Sequence, residues 1–553
     1  MQASEVVFQK LLDGKIQYVV PLYQRTYDWD EEQWEKLWSD LLDIYALPSP
    51  RNHFIGSVVT QSIPTAPEGP SMYTLIDGQQ RMTTLFILLS VIRKHAETES
   101  ETWGQLAEEI LDTCLVNKFV DGNGRNKLMP TQRDRDAFAS VVRGEEPDNS
   151  LQIAKARAYF DKVLSRGDDD DKKIDLRKLH SCIVNHLDLV SISLDQEDSP
   201  NRIFESLNNT GMPLTVADLL RNYLLMNIPD PEQQGQVYNT YWYPMQELLS
   251  GGKKDVSGDF FWRYLMMDGS LPREDDVYDE IQKHINAPTP EQAQKALESF
   301  HKFSRYYGQI AELQNVDSER LSTLIQRLNQ WGVAPAYPFL MKAFDSLSSG
   351  KISEDELVSV MGMIESFVVR RKVCSVPTNR LRRIFARMSG QLNLDDVVGY
   401  SSDYLSKNEW PSDDEFRSKF KEFRLYNPSS LNQTRLVLNS LEASFGHKES
   451  PELNDSISIE HIMPQKLSDE WQRDLGPNAT DIHDQRLHTI GNLTLTGYNA
   501  ELGNKPFAEK RVDLTKSNFA LNATIGNFDV WNEESIQSRA DWLADRALKC
   551  WPR

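Results

Sequence analysis

The spacing of apolar positions divides the chain into three stretches. Over the first 225 residues, short runs of period two alternate with longer runs of period 3.6. From about 230 to 440 the helical period dominates, and the last hundred or so residues return to a mixture. Ile16 to Tyr23 (IQYVVPLY) predicts a strand that Pro21 interrupts. Asp30 predicts a helix start, with Gln33 as its capping-box partner. Trp34, Leu37, Trp38, Leu41 and Tyr45 then form an apolar stripe, read as core. Strands are predicted at Phe54 to Thr60, Tyr73 to Ile76 and Asp188 to Leu194, with a proline-rich loop at 61–70 and a strongly apolar helix over Gln80 to Lys94. Residues 165–174 form a charged break, and Asn208 to Gly211 a turn. Thr215 with Asp218 forms a second N-cap pair. Loops at 250–258, 286–290 and 349–353 punctuate the helical middle, and no internal repeat is visible. The polar segment 447–456 suits a linker, followed by a strand over Ile457 to Ile462 and an amphipathic helix at 533–549. This gives an α+β multidomain chain with parts at 1–228, 229–445 and 446–553.

Composition narrows the classes. With 39% apolar residues among 553, most of the chain can build cores. The net charge of −21 excludes a uniformly basic coat for nucleic acid, although local basic strips can still neutralise phosphates. Cys114, Cys182, Cys374 and Cys550 are far apart, so neither a cysteine zinc site nor a disulfide framework is indicated. The N-terminus lacks signal-peptide blocks, and the longest apolar run, Thr83 to Ile92, is short of the ~20 residues that span a bilayer. The expectation is a soluble cytoplasmic protein with no membrane partner.

Near the C-terminus the chain reads SIEHIMPQ (458–465), TIGNLTLTGYN (489–499) and NKPFAEKR (504–511). This order resembles the ββα-metal, or HNH, nuclease motif. The resemblance places Glu460 and His461 on a strand, Asn492 in a following loop or strand, and Asn499 beyond it. Phosphodiester hydrolysis needs a base to activate water, for which His461 is the candidate. It also needs a hard cation, and Glu460 and Asn499 supply oxygen donors suited to Mg²⁺ or Mn²⁺. By the resemblance Asn492 holds the loop and orients His461, and Lys505 or Lys510 stands as a phosphate contact. His483 and His488 read as ordinary loop histidines. E-H-I-x-P-Q with I-G-N-L-T-L resembles the nuclease half of GmrSD-type modification-dependent restriction enzymes, over roughly residues 440–553.

Leu75 to Thr84 reads LIDGQQRMTT, a strand running through a glycine turn into a helix. Free N–H groups at the helix start favour an anion, and Arg81 adds a fork of donors, but a surface strand–turn–helix corner fits equally well. With PLYQR at 21–25, HFIGS at 53–57, and Phe204 to Asn208, Gly211, Leu214 and Asp218 later on, residues 5–225 resemble the ParB/sulfiredoxin-like N-terminal domain of the same family. That resemblance implies binding, and hydrolysis, of an NTP (GTP, ATP or CTP) at Asp77, Gly78, Gln79, Gln80 and Arg81. In relatives that respond to phosphorothioate DNA, the PLYQR region forms the modification pocket. Tyr23 would then stack on a sugar or base while Gln24 and Arg25 reach a phosphate. The alternative is that Tyr23 is core and Arg25 pairs with Asp28 or Asp30.

In the middle, residues 366–390 carry Arg370, Arg371, Lys372, Arg380, Arg382, Arg383 and Arg387 without an acidic residue. This strip suits a DNA backbone track, or equally an interdomain face. The resemblance as a whole implies a single-chain, antiviral type IV restriction factor whose partners are modified DNA and an NTP, a homo-oligomer being compatible with it. Two rivals stay open: a nucleotide-gated DNA-binding switch with a degenerate nuclease, and a nonspecific or RNA-directed abortive-infection nuclease.

Overall fold

The computed structural model describes residues 2–64, 69–149, 151–167, 172–195, 214–250, 252, 254–446, 457–497 and 502–553. The turn at Asn208, the Phe204–Asn208 motif, the 447–456 linker and Asn499 lie outside the described residues. The chain groups into two compact units. One comprises residues 1–243 with 285–298, the other 244–284 with 299–553. Most of the helical middle therefore belongs to the same unit as the C-terminal residues.

The first unit is built on a mixed six-stranded sheet. Its strands are β1 (Gln2–Val7), β2 (Ile16–Val19), β3 (His53–Ile63), β4 (Ser71–Asp77), β5 (Leu128–Met129) and β6 (Leu187–Leu194), in the order β1-β6-β3-β4-β2-β5. β3 pairs parallel to β6 and antiparallel to β4, so β3 is a neighbour of the strand that leads into the LIDGQQR turn. Helix α1 (Glu31–Ala46) starts at Asp30 with the full capping box, Asp30 Oδ1 accepting from the Glu32 N–H and Gln33 Oε1 from the Asp30 N–H. Its Trp34, Leu37, Trp38 and Leu41 are buried as the spacing requires. Helix α2 (Gln79–Thr98) is buried on every side from Met82 to Arg93, which explains an apolar run without an amphipathic period. Phe86, Leu85 and Leu88 pack in one core with Phe138, Ile153, Phe160 and Leu179 from surrounding helices. Helix α3 (Val216–Met226) is capped by Thr215 and Asp218, and Arg221 in it donates to the Tyr23 carbonyl at 2.8 Å.

In the second unit, α4 (Glu354–Val373), α5 (Leu381–Gly390), α6 (Val397–Ser406) and α7 (Leu431–Ala443) belong to a helical array. They are followed by the antiparallel pair β7 (Ser458–His461) and β8 (Leu493–Thr496), then α8 (Phe507–Thr515) and α9 (Glu533–Cys550). The strands are short, and Glu460 faces Thr494 while His461 faces Leu493. A separate core of Met463, Trp471, Phe507, Trp531 and Ile536 backs them. No helix among the described residues is long and apolar enough to cross a membrane.

Candidate functional site

Two places gather the chemistry that the sequence singles out, one in each unit.

In the first unit, β4 delivers Asp77 to the turn and α2 begins at Gln79. Gly78 takes φ +91°, and a Cβ there would lie 2.9 Å from the Ser57 carbonyl, so the turn needs glycine on both counts. A break in register between Phe54 and Ser57 leaves Gly56 at φ +114°. The Arg81 guanidinium lies across that glycine: a Cβ at Gly56 would meet Nη1 at 2.2 Å. Nη1 donates to the Ser57 carbonyl at 2.7 Å, and Nη2 lies 3.8 Å from Asp77. Thus HFIGS and LIDGQQR, apart in sequence, form one corner because each contributes the glycine that the other's backbone or side chain requires.

The two glutamines part company. Gln80 Oε1 accepts from the Asp28 N–H at 2.9 Å and its Nε2 donates to the Thr26 carbonyl at 3.1 Å, so its amide is consumed in fastening the 21–30 loop to α2. Gln79 is 8% exposed, and its side chain has no hydrogen-bond partner among the described residues. It lines a cavity of about 840 Å³ together with Asp77, Gly78, Gln80 and Arg81. Gln24 and Arg25 also line this cavity. Gln24 Nε2 donates to the Ile76 carbonyl at 2.7 Å, and Arg25 lies 3.7 Å from Asp28. Tyr23 corrects its expectation. It is 7% exposed, and burial raises its hydroxyl above the usual tyrosine range, so its ring is core and not a free stacking platform.

In the second unit, His461 ends β7. Its Nε2 is 3.1 Å from His488 Nδ1 and its Nδ1 is 3.5 Å from Gln465 Nε2. Tyr426 meets His461 edge-on at 4.6 Å and stacks on His488 at 5.3 Å. His483 Nε2 lies 3.0 Å from the Pro464 carbonyl. The two histidines expected as ordinary loop residues therefore both touch the EHIMPQ segment; only the tertiary pairing of Leu425 and Tyr426 with the His488 carbonyl brings Tyr426 there. Asn492 is fully buried and satisfied on every side: Nδ2 donates to the Met463 and Leu487 carbonyls, and Oδ1 accepts from the Met463 N–H and Trp531 Nε1. It pins the turn that follows His461.

Glu460 is 6% exposed, and its Oε1 accepts from Lys510 Nζ at 2.6 Å. Burial raises the Glu460 carboxyl, with Lys510 pulling it back, and the same burial lowers the Lys510 ammonium. Lys510 also donates to the His461 carbonyl at 3.0 Å and is 0% exposed, so it is a buried partner of Glu460 and not a surface phosphate contact. Lys505 stays half exposed, 3.8 Å from Asp513. Glu460 offers the hard oxygen that Mg²⁺ or Mn²⁺ takes. Among the described residues, however, no group of three His, Cys, Asp or Glu converges on one point.

His461 is held down to about 3, first by burial and then by His488, Lys510 and His483 nearby. At neutral pH its ring is therefore unprotonated, the state a general base needs. In the unfolded chain the same ring takes up a proton near 6.5. Below that pH the unfolded state binds a proton that the folded state does not, so stability falls as pH drops from about 6.5 toward 3. His461 alone is expected to contribute a slope of up to about 1.4 kcal/mol per pH unit below pH ~6. Urea melts between pH 7 and 5 should show a shallower slope for His461→Asn; an unchanged slope would contradict the assignment.

The basic strip divides at the end of α4. Arg370 and Arg371 are 0% and 1% exposed. Arg370 donates to the Trp551 and Pro411 carbonyls, and Arg371 to those of Asn408, Glu409 and Pro377. Lys372 is spent on Gln433. These three are internal fasteners, which corrects the expected DNA track. Arg380, Arg383 and Arg387 remain exposed and line a cleft of about 280 Å³ with Tyr404 and Lys407 from α6 and its end. Arg380 pairs with Glu409 at 3.1 Å, whereas Arg383, Arg387 and Lys407 have no carboxylate partner among the described residues.

Residues 8–225 match the family model described as GmrSD restriction endonuclease, N-terminal domain, and residues 410–546 the one described as GmrSD restriction endonucleases, C-terminal domain. Both matched parts are those of restriction endonucleases. Together the matches support membership of the GmrSD family for this chain. A comparison with curated proteins gave no match.

Proposed function

We propose that the chain is a modification-dependent DNA endonuclease of antiviral defence. It cuts at His461 in an HNH-type site and is regulated by an NTP held in the cavity beside Arg81. The observation that carries this reading is the neutral, buried His461 fixed between His488 and Gln465, next to Glu460 and behind the Asn492-pinned turn. His461 accepts a proton from water, whose oxygen attacks phosphorus as the ester oxygen leaves. A Mg²⁺ or Mn²⁺ ion, with Glu460 and Asn499 as ligands, would supply charge neutralisation on the phosphate. Glu460 is matched to Lys510 in this structure, so taking an ion requires that carboxylate to share or exchange its partner. The ParB-like reading of the first unit rests on the Gly56–Arg81–Gly78 corner, which offers backbone N–H groups and a guanidinium to phosphates. With Tyr23 in the core, sensing of modified DNA by the PLYQR segment reduces to Arg25, and to Gln24 where the cavity exposes it.

DNA backbone contact falls to Arg383, Arg387 and Lys407, the last a residue that sequence reasoning missed because it lies on another helix. Neutralising all three should lower the slope of log Kd against log salt by about 2.7, at ~0.9 for each phosphate no longer neutralised, and weaken all DNA sequences alike. A slope equal to wild type by filter binding would remove the cleft from the account.

The regulatory part is tested on modified supercoiled plasmid in Mg²⁺, with and without GTP, ATP or CTP. The expected result is a cutting rate that changes with the nucleotide and stops responding to it in Arg81→Ala. A rate indifferent to every nucleotide would overturn the regulatory reading.

A further inference from the structure

The cavity beside Arg81 is lined by two chemically different sets of groups. One set is the start of α2, the nine-tenths buried Gln79 with its unpartnered amide, and the Arg81 guanidinium spread over Gly56. A bare phosphate or polyphosphate would need no more than these donors. Apolar side chains line the same cavity, among them Trp29, Leu37, Leu214 and the ring of Phe54. Phe54 is 59% exposed, the side chain of a large apolar residue with no ring contact among the described residues. It stands two residues before Gly56 on β3, so no more than about 7 Å of chain separates them. A ribose bridges such a gap between a phosphate and a base.

We propose that Phe54 is the base platform of this site: a nucleoside triphosphate lies with its phosphates at Gly78–Arg81, Gln79 donating to them or to the ribose, and its base flat against the Phe54 ring. This rests on the nucleotide reading above and adds where the base goes and what selects a nucleotide over inorganic polyphosphate. Every base has a π-face, so stacking here favours nucleotides as a class without choosing among bases. Volume agrees, since about 840 Å³ lies in the range of cavities that enclose a cofactor-sized ligand.

The test is calorimetric titration of the full chain with ATP, GTP, CTP and inorganic tripolyphosphate, in wild type, Phe54→Ala, Phe54→Trp and Gln79→Ala. Phe54→Ala should weaken nucleotide binding about tenfold and leave tripolyphosphate unchanged, because an aromatic platform contributes only to the base. Phe54→Trp should restore nucleotide affinity, and Gln79→Ala should weaken nucleotide binding too. Nucleotide binding that Phe54→Ala leaves at the wild-type value, or an equal loss for tripolyphosphate, overturns the base placement alone. A wild-type chain that binds tripolyphosphate but no nucleotide, or neither, overturns the nucleotide reading itself.

Discussion

Replacing His461 by alanine is expected to lower DNA cleavage by about a thousandfold while leaving nucleotide binding in the first unit intact. General-base catalysis contributes ~10²–10⁴ in rate, and the alanine variant lacks the imidazole proposed as that base. His488, 3.1 Å away, is directed at the ring it would have to replace. The substitution should not unfold the domain, because Asn492 and Trp531 hold the following turn without help from the imidazole. The check is single-turnover cleavage of a labelled duplex beside a nucleotide titration of the same protein. Activity within about tenfold of wild type would show that His461 is not the base. Loss of nucleotide binding as well would show that the two sites are not separable.

The second large effect is one of stability. Arg539 in α9 is 1% exposed, and its guanidinium donates to the carbonyls of Ile490, Gly491, Leu493 and Leu521 at 2.8–3.2 Å. The first three of those carbonyls flank Asn492, so one side chain fastens the turn that in turn fastens His461. Arg539→Met leaves these acceptors buried without their donors. Removing a charged partner from such a network costs about 3–5 kcal/mol. For a unit of this size that corresponds to a melting temperature lower by roughly 10 °C, with cleavage lost even below the transition. Arg539→Lys, which restores one cation but not the fork, should fall between. A melting temperature within about 2 °C of wild type would mean that water reaches these carbonyls and that the turn is held otherwise.

Much of the local structure is legible in the sequence because its causes are local. The Asp30–Gln33 capping box, the Thr215–Asp218 pair and the strand–Gly78–helix turn each depend on residues within a few positions, and each forms as written. Side-chain fate is not legible where partners are distant. Arg370 and Arg371 read as a cationic strip, yet their acceptors are carbonyls around 408–411, at 377 and at 551. Tyr23 sits in a motif that the family resemblance ties to sensing, but the hydrogen bond to its carbonyl from Arg221, in the distant helix α3, helps hold its segment in the core. His488 reads as a loop histidine because nothing in its own neighbourhood reveals the Tyr426 ring stacked on it. Glu460 and Lys510 are fifty positions apart, so the charge pairing that complicates the proposed metal role of Glu460 appears only in three dimensions.

The central claim, that this chain cuts DNA according to its modification, is tested most directly by matched duplexes that are unmodified, methylated, glucosylated or phosphorothioated. Each is incubated with the full chain and Mg²⁺ or Mn²⁺, in the presence of NTPs. The account predicts cleavage of one modified form and sparing of the unmodified duplex. Equal cleavage of every duplex would contradict it in favour of a nonspecific nuclease, and no cleavage of any would contradict it in favour of a nucleotide-gated binding switch.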